Sequence, residues 1–361
     1  PIVSEIIQWF NGDLDEKSNV GMLVDQAGMG KSVVMQDTLR EVESTGGTVL
    51  AIKADQQLSS AASSADLEKL LSISWPIDVV VERLAKLDRV LILIDQLDAL
   101  SLTLGHDEHA LNLALELVAK LRRIPNVAVL ISCRIFDRNS DPRLRQIEIH
   151  RHFSLNRLSE TEVMSVLSLV SIEYSLLSRA TRELLAIPLH LSLFIYAIQS
   201  GWTARDEIQG ISSLQELYAS IWKFVIFSSG DNTPSESNRS ATLKFVTEYM
   251  DREQKILVPS SAFYTPEAQE MMSTINWLAS KGILVESKAG WTFLHQTFFD
   301  YCFARYFVER RGDIVDEIIS SSQGLFERSK LVQVLSYLRG FDHSLYIQEL
   351  GRLFNEPRLR V

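Results

Sequence analysis

Asn19-Val20-Gly21-Met22-Leu23-Val24, followed by Asp25-Gln26-Ala27-Gly28-Met29-Gly30-Lys31-Ser32, is an apolar run of strand length that breaks into a glycine turn. A run this apolar on both faces belongs in a sheet covered by helices on either side. Gly28 and Gly30 let the backbone curl so that successive N–H groups point at one centre. A helix beginning near Lys31 adds the positive end of its dipole. A loop of this kind is built to receive phosphate.

Four further runs read as strands: Thr48–Asp55, Arg89–Asp95, Asn126–Ser132 and Gln146–Phe153. Helix-period segments fill most of the gaps, which predicts an α/β domain with a parallel sheet over residues 1–155. The Ser/Ala stretch Ser59–Asp66 reads as a loop. Between strand and helix, Asp25 to Ser32 matches the P-loop pattern G-x-x-x-x-G-K-[ST], with Asp25 at the first Gly position. This makes Gly28, Met29, Gly30, Lys31, Ser32 and Val33 the expected nucleotide-binding stretch for ATP or ADP. Lys31 would contact the β- and γ-phosphates, and the Ser32 hydroxyl would ligate Mg²⁺.

Arg89-Val-Leu-Ile-Leu-Ile-Asp95-Gln96-Leu97-Asp98 is a buried-strand run ending in a carboxylate, the Walker B form. Asp95 would hold Mg²⁺ through water at the strand end, where open α/β folds bind ligands. Asp98 either orients the attacking water or caps a helix. A third run, Val127-Ala-Val-Leu-Ile-Ser132-Cys133-Arg134, places Arg134 to sense the γ-phosphate; the alternative is a surface arginine paired with Asp137. His150 and His152, at alternate strand positions, read as structural.

From Leu158 onward the strand signal fades. Ser159 and Glu162 form a capping box, and helical patterns run to Phe227 with interruptions at Pro188 and Gly201. Residues 156–227 are therefore expected to be a helical lid. Ser228–Ser240 lacks apolar residues and reads as a linker. Helices at Ala241–Lys255 and Pro266–Lys281 follow, the second carrying Met271, Ile275 and Leu278 on one face. A hairpin of Ile283–Glu286 and Trp291–Leu294 turns through Ala289 and Gly290. That order predicts a winged-helix domain over 228–310, with a helical region that could open a repeat array at 311–361.

The 361 residues carry 36 Lys and Arg against 46 Asp and Glu, a net charge of -10. This disfavours a surface evolved mainly for nucleic acid or an acidic bilayer. The 2 cysteines, Cys133 and Cys302, exclude a disulfide scaffold or cysteine zinc site and fit a reducing cytosol. No run is long enough for a membrane span, and no signal peptide is evident. A chain running from Pro1 to Val361 reads as a piece of a longer protein.

The P-loop, the acidic strand end Asp95-Gln-Leu-Asp98 and Arg134 together resemble the STAND class of P-loop NTPases, its NACHT branch in particular. Leu185-Ala-Ile-Pro188-Leu-His190-Leu is similar to the Gly-x-Pro segment of that family's lid, with Ala186 in place of Gly. Phe293-Leu-His295-Gln-Thr-Phe298-Phe-Asp300-Tyr is similar to its winged-helix signature. The resemblance implies a switch, used in that class mostly in immune or antiphage defence. ADP holds a closed state, and exchange to ATP permits homo-oligomerisation and activates an effector expected on the N-terminal side. The trigger would be sensed by a C-terminal region. It implies Pro188 packed on the adenine and His295 reaching the β-phosphate; the residues alone equally allow a helix kink at Pro188 and a core histidine at 295. Ala99, where the family carries a second acidic residue, implies slow hydrolysis. An AAA-type motor is the alternative. A DNA-binding regulator is less favoured, because Lys281 stands against Glu267 and Glu270 on the expected recognition helix.

Overall fold

The computed structural model describes residues 2–12, 14, 19–101, 108–202, 208, 211–230, 233–253, 255, 257–265, 271–287, 290–310, 312–320 and 325–358. The chain divides into two compact units, Pro1–Asn156 and Arg157–Val361.

In the first unit, β1 (Val20–Asp25), β2 (Thr48–Lys53), β3 (Val90–Asp95), β4 (Val127–Arg134) and β5 (Arg151–Phe153) form a five-stranded sheet in the order β2-β3-β4-β1-β5. Every pairing is parallel. Side chains alternate across a strand, so β3 feeds two cores at once. Leu91 and Leu93 face one layer, with Ile6 and Phe10 of α1 (Ile2–Asn11) and Met35 and Val42 of α2 (Lys31–Ser44). Val90, Ile92 and Ile94 face the other, with α3 (Ser64–Leu70), α4 (Ile77–Ala85) and α5 (Glu108–Leu121). All six β3 residues are buried for this reason. The Arg89 guanidinium donates to the carbonyls of Phe10 and Gly12, tying the end of α1 to the start of β3.

Three local expectations change. The strand expected over Thr48–Asp55 stops at Lys53, and Ala54–Leu58 roll into one wide turn closed by Ser59 N–H donating to Ala54 O. Lys53 N–H donates to Gln57 Oε1 at 2.6 Å, which holds the roll. The strand expected over Gln146–Phe153 pairs only from His150, because Asp141 caps a short Pro142–Arg145 helix and Arg138 donates to the carbonyls of Leu144 and Ile147. His150 itself is structural, its Nδ1 accepting from Val20 N–H at 3.2 Å. The loop expected at Ser59–Asp66 ends at Ser63, whose hydroxyl accepts from Asp66 N–H and starts α3.

Among its described residues the second unit is mostly helical, with one hairpin. Helices include Glu160–Ser168, Arg179–Leu185, Pro188–Gln199, Leu214–Ile221 and Glu236–Glu253. Then come Met272–Ser280, the antiparallel pair β6 (Leu284–Ser287) and β7 (Gly290–Phe293), and Gln296–Glu309, Ile314–Ser320, Leu325–Phe341 and His343–Asn355. Val258 adds an antiparallel bridge to Trp291 with N–O distances of 2.8 Å both ways. The approach needs glycine beside it: a Cβ on Gly290, at φ +145°, would lie 2.1 Å from Val258 O. One apolar core runs from Val163 through Trp222 and Phe298 to Leu338.

The stretch Ser228–Ser240 is not a free linker throughout. It is helical from Glu236, and Arg239 is buried with its guanidinium donating to Ser228 O at 2.7 Å and lying over the Trp277 ring. Of the expected 266–281 helix, residues 266–270 lie outside the described residues, as do 231–232 of the linker and Ala289 of the hairpin turn. Among the described residues no single helix is long and apolar enough to cross a membrane.

Candidate functional site

The turn after β1 takes the shape that its glycines permit. Gly28 and Gly30 adopt φ +82° and +95°. A Cβ on Gly30 would meet no atom within 4 Å, so a substitution there would meet backbone strain rather than a clash. Gly30 caps α2 without a side-chain hydrogen bond, leaving the first N–H groups of that helix to face outward from the sheet edge. Lys31 Nζ donates to the carbonyls of Asp25 at 2.9 Å and Gln26 at 2.7 Å, bridging the loop. Its pKa is lowered, first by burial and then by Arg134, against the opposing pull of Asp98 and Asp25. Met29 is buried, while Ser32 and Val33 lie exposed on the first turn of α2.

Asp25 explains how the loop does without its usual first glycine. Its Oδ1 accepts from Gln26 N–H at 2.7 Å and its Oδ2 from Leu155 N–H at 3.0 Å. The carboxylate thus pins the start of the loop to the chain leaving β5.

Asp95 ends β3 at the same edge of the sheet, buried, with Oδ1 accepting from Ser132 Oγ at 2.5 Å. Ser132 Oγ also accepts from Gln96 N–H at 2.8 Å, which helps to hold Gln96 at φ +60°. Asp98 lies in the short turn Leu97–Leu100. Its Oδ1 accepts from Arg134 N–H at 3.1 Å and its Oδ2 from the Arg134 guanidinium at 2.9 Å. The ion-pair partner of Arg134 is therefore Asp98, and Asp137 accepts from Ser101 Oγ at 2.7 Å. Lys31, Asp95, Asp98 and Arg134 are brought to one edge by β1, β3 and β4.

Two contributors escaped the sequence reading. Ser132, seen only as a strand residue, braces Asp95. Asp55, seen only as a strand end, sits just past β2 with its pKa pushed up to about 6 by burial, and further by Asp95 and Asp98, against Lys53. The available signal was position: each follows or ends an apolar run next to the strand that carries Asp95.

Ser32 carries a hydroxyl and Asp95 a carboxylate, oxygen donors of the kind that suits Mg²⁺, a hard cation that keeps several of its waters. Among the described residues no three His, Cys, Asp or Glu side chains gather as a dedicated metal site.

In the second unit, Pro188 stands at the first turn of its helix, so it starts that helix rather than kinking one. His295 caps the Gln296–Glu309 helix instead of lying inside it. It lines a cavity of about 220 Å³ with Tyr196, Tyr218, Lys281, Leu294 and Phe298. Burial lowers its pKa.

No family model matches the chain, and no curated protein matches it. Solved structures do. The chain is similar to the Walker-type ATPase PABY2304 of Pyrococcus abyssi at 11% identity, covering 83% of this chain and 94% of that one, with a TM-score of 0.42. It is similar to Cdc6p from Pyrobaculum aerophilum at 13% identity, 86% and 93% coverage and a TM-score of 0.34. RuvB of Thermotoga maritima, as a point variant, gives 11%, 86% and 94%, and 0.35. The strand order and the loop after β1, rather than these low scores, place residues 1–156 in the P-loop NTPase fold.

Proposed function

We propose that this chain binds ATP or ADP at the loop after β1 and hydrolyses ATP slowly, as a switch rather than a motor. The observation that carries the reading is the Lys31 bridge across a loop with two left-handed glycines, at the sheet edge that also carries Asp95. Backbone N–H groups of residues 28 to 33 would hold phosphate oxygens, and Lys31 would exchange its two carbonyl partners for them. Ser32 and Asp95 would hold Mg²⁺, which when bound neutralises phosphate charge. Ser132, donating to Asp95 Oδ1, would orient it for that task. The Asp98–Arg134 pair gives a cation already oriented at the edge of the site, suited to sensing a γ-phosphate.

The finer reading rests on the resemblance to STAND proteins of the NACHT branch. ADP would favour a resting state to which Pro188 and His295 contribute, and exchange to ATP would favour homo-oligomers. A nucleotide moves such an equilibrium only by its differential affinity, and passing from 1:99 to 99:1 takes about 5.5 kcal/mol. Identifying the nucleotide released when the purified protein is denatured tests the first claim. ADP in near-stoichiometric amount, lost in Lys31→Ala, is expected; a chain that carries and binds neither ADP nor ATP would overturn it. His295→Ala is expected to speed ADP release and raise the oligomer fraction, read by mass photometry.

A further inference from the structure

We propose that the cavity beside His295 is a binding site for a small aromatic carboxylate, an inference that goes beyond the nucleotide reading and does not rest on it. The cavity lies wholly within residues 157–361. It opens between the helices Pro188–Gln199 and Leu214–Ile221, the turn into β6 and the start of the helix Gln296–Glu309. Leu193, Tyr218, Ile221, Ile283 and Phe298 line it and are buried. Tyr218 and Phe298, with ring centroids 4.9 Å apart, give it an aromatic wall on which a flat ring packs well. An apolar cavity of about 150 Å³ takes benzene. At about 220 Å³ this one has room for a pair of fused rings, whereas ADP is too large to be enclosed in it.

The polar groups around the cavity divide into those already engaged and those not. Tyr196 Oη donates to Lys281 O at 2.6 Å, Ser192 Oγ donates to Leu189 O at 2.8 Å, and Tyr218 Oη and Thr297 Oγ1 share a hydrogen bond of 2.6 Å. The His295 ring has no hydrogen-bond partner among the described residues, and burial alone lowers its pKa below 6.5, leaving it neutral with one N–H to donate. Lys281 is exposed at the rim, its ammonium 5.6 Å from the centroid of the Trp277 ring, and no carboxylate pairs with it among the described residues. No Asp or Glu is among the described residues that line the cavity.

Those unspent groups set the class of ligand. A carboxylate would meet one cation and one N–H with no opposing charge, while the rings attached to it leave water for apolar walls. An amine would face Lys281 without a counter-charge, and a wholly apolar molecule would leave the His295 N–H unanswered. The lining offers no thiol or carboxylate for chemistry, so the ligand acts as an effector: it touches the helix that begins at Pro188 and the helix that follows His295, and holds the two together.

The test uses the 361-residue chain without nucleotide, with 2-naphthoate as the probe and calorimetry as the readout. One-to-one binding in the micromolar range is expected, with the uncharged 2-naphthamide weaker by about tenfold or more, as loss of a charge-assisted hydrogen bond implies. Lys281→Glu, at an exposed position, is expected to weaken 2-naphthoate by more than about tenfold while leaving 2-naphthamide within about threefold. Leu193→Trp, which fills the cavity, is expected to abolish binding of both, and melting of the free variants checks that each is folded. Absence of 2-naphthoate binding at about 1 mM would overturn the inference. So would equal affinity for acid and amide, or undiminished binding by Leu193→Trp, which would put the probe elsewhere. Displacement of 2-naphthoate by ADP in Lys31→Ala would overturn it too, by making the cavity a nucleotide's. A chain that binds 2-naphthoate but neither ADP nor ATP supports this site while removing the reading of the loop after β1.

Discussion

Arg134 holds Asp98 at two points, its backbone N–H on Oδ1 at 3.1 Å and its guanidinium on Oδ2 at 2.9 Å. The Asp98 side chain is 4% exposed and that of Arg134 22%. Removing one member of such a pair strands the other charge away from water. Arg134→Ala is accordingly expected to cost about 2 kcal/mol of stability, less than a fully buried pair because the guanidinium is partly solvated. Asp98→Asn with Arg134→Ala should cost less than the sum of the two single changes. Urea unfolding of the four proteins checks both statements; additive losses would mean that the pair is not coupled.

Asp25→Gly restores the usual P-loop residue and yet is expected to destabilise the nucleotide-free chain. It removes the carboxylate that accepts from Gln26 and Leu155. Hydrogen bonds to a charged group contribute about 1.5–3 kcal/mol when buried, and the partial exposure here brings the expected loss to about 1 kcal/mol. A melting temperature equal to that of the unsubstituted chain would show that the two bonds do not hold the loop.

Asp55 gives a pH dependence with a definite sign. Its pKa is about 6 in the folded chain against 3.8 as the ordinary value, so between those pH values the folded state holds more protons than the unfolded one. Stability from this group is greatest below the lower value and falls as pH rises to about 6. Asp55→Asn should therefore be more stable than the unsubstituted chain above pH 6, by about 3 kcal/mol at most, and match it near pH 4. Chemical unfolding in EDTA without nucleotide reads the difference; equal stability at pH 7.5 would refute it.

His190 works in the opposite direction. It is buried with Nδ1 at 3.0 Å from Leu184 O, and its pKa is lowered below 6.5 by burial, with Arg157 adding to the effect. The unfolded chain then takes up a proton more readily, so stability is lost as pH falls through 6.5. His190→Gln, which can still donate to Leu184 O, should flatten the stability curve between pH 6.5 and pH 5 relative to the unsubstituted chain.

Much of the first unit was legible because its strands are buried on both faces. The unbroken Val90–Asp95 run admits no other reading once helices flank it, and Gly28, Gly30 and Lys31 form a loop that local sequence dictates. What escaped depends on contacts distant in sequence. The roll after Lys53 is held locally by Gln57, but what it packs against, residues 97–100, lies some way along the chain, so the stretch around Asp55 does not announce it. Asp98, which pairs with Arg134, lies 36 residues away in the turn after β3, whereas Asp137 is three residues along and is the partner that sequence suggests. Ser228–Ser240 looked free because Arg239, its buried anchor among the described residues, is a residue type that seldom goes inside.

The shared core of residues 157–361 bears on what that unit can do under load. Three stretches that differ in composition rest on a single apolar interior reaching from Val163 to Leu338. Lys330 braces it by its ion pair to Asp251 at 2.7 Å, and Gln333 by donating to Asp300 at 2.8 Å. A tug at the last helices is therefore met by side chains packed along that interior. Leu191 and Phe194, on the helix that begins at Pro188, belong to the same interior as Val334 and Leu338, so a change of packing at the last helices is expected to be felt there.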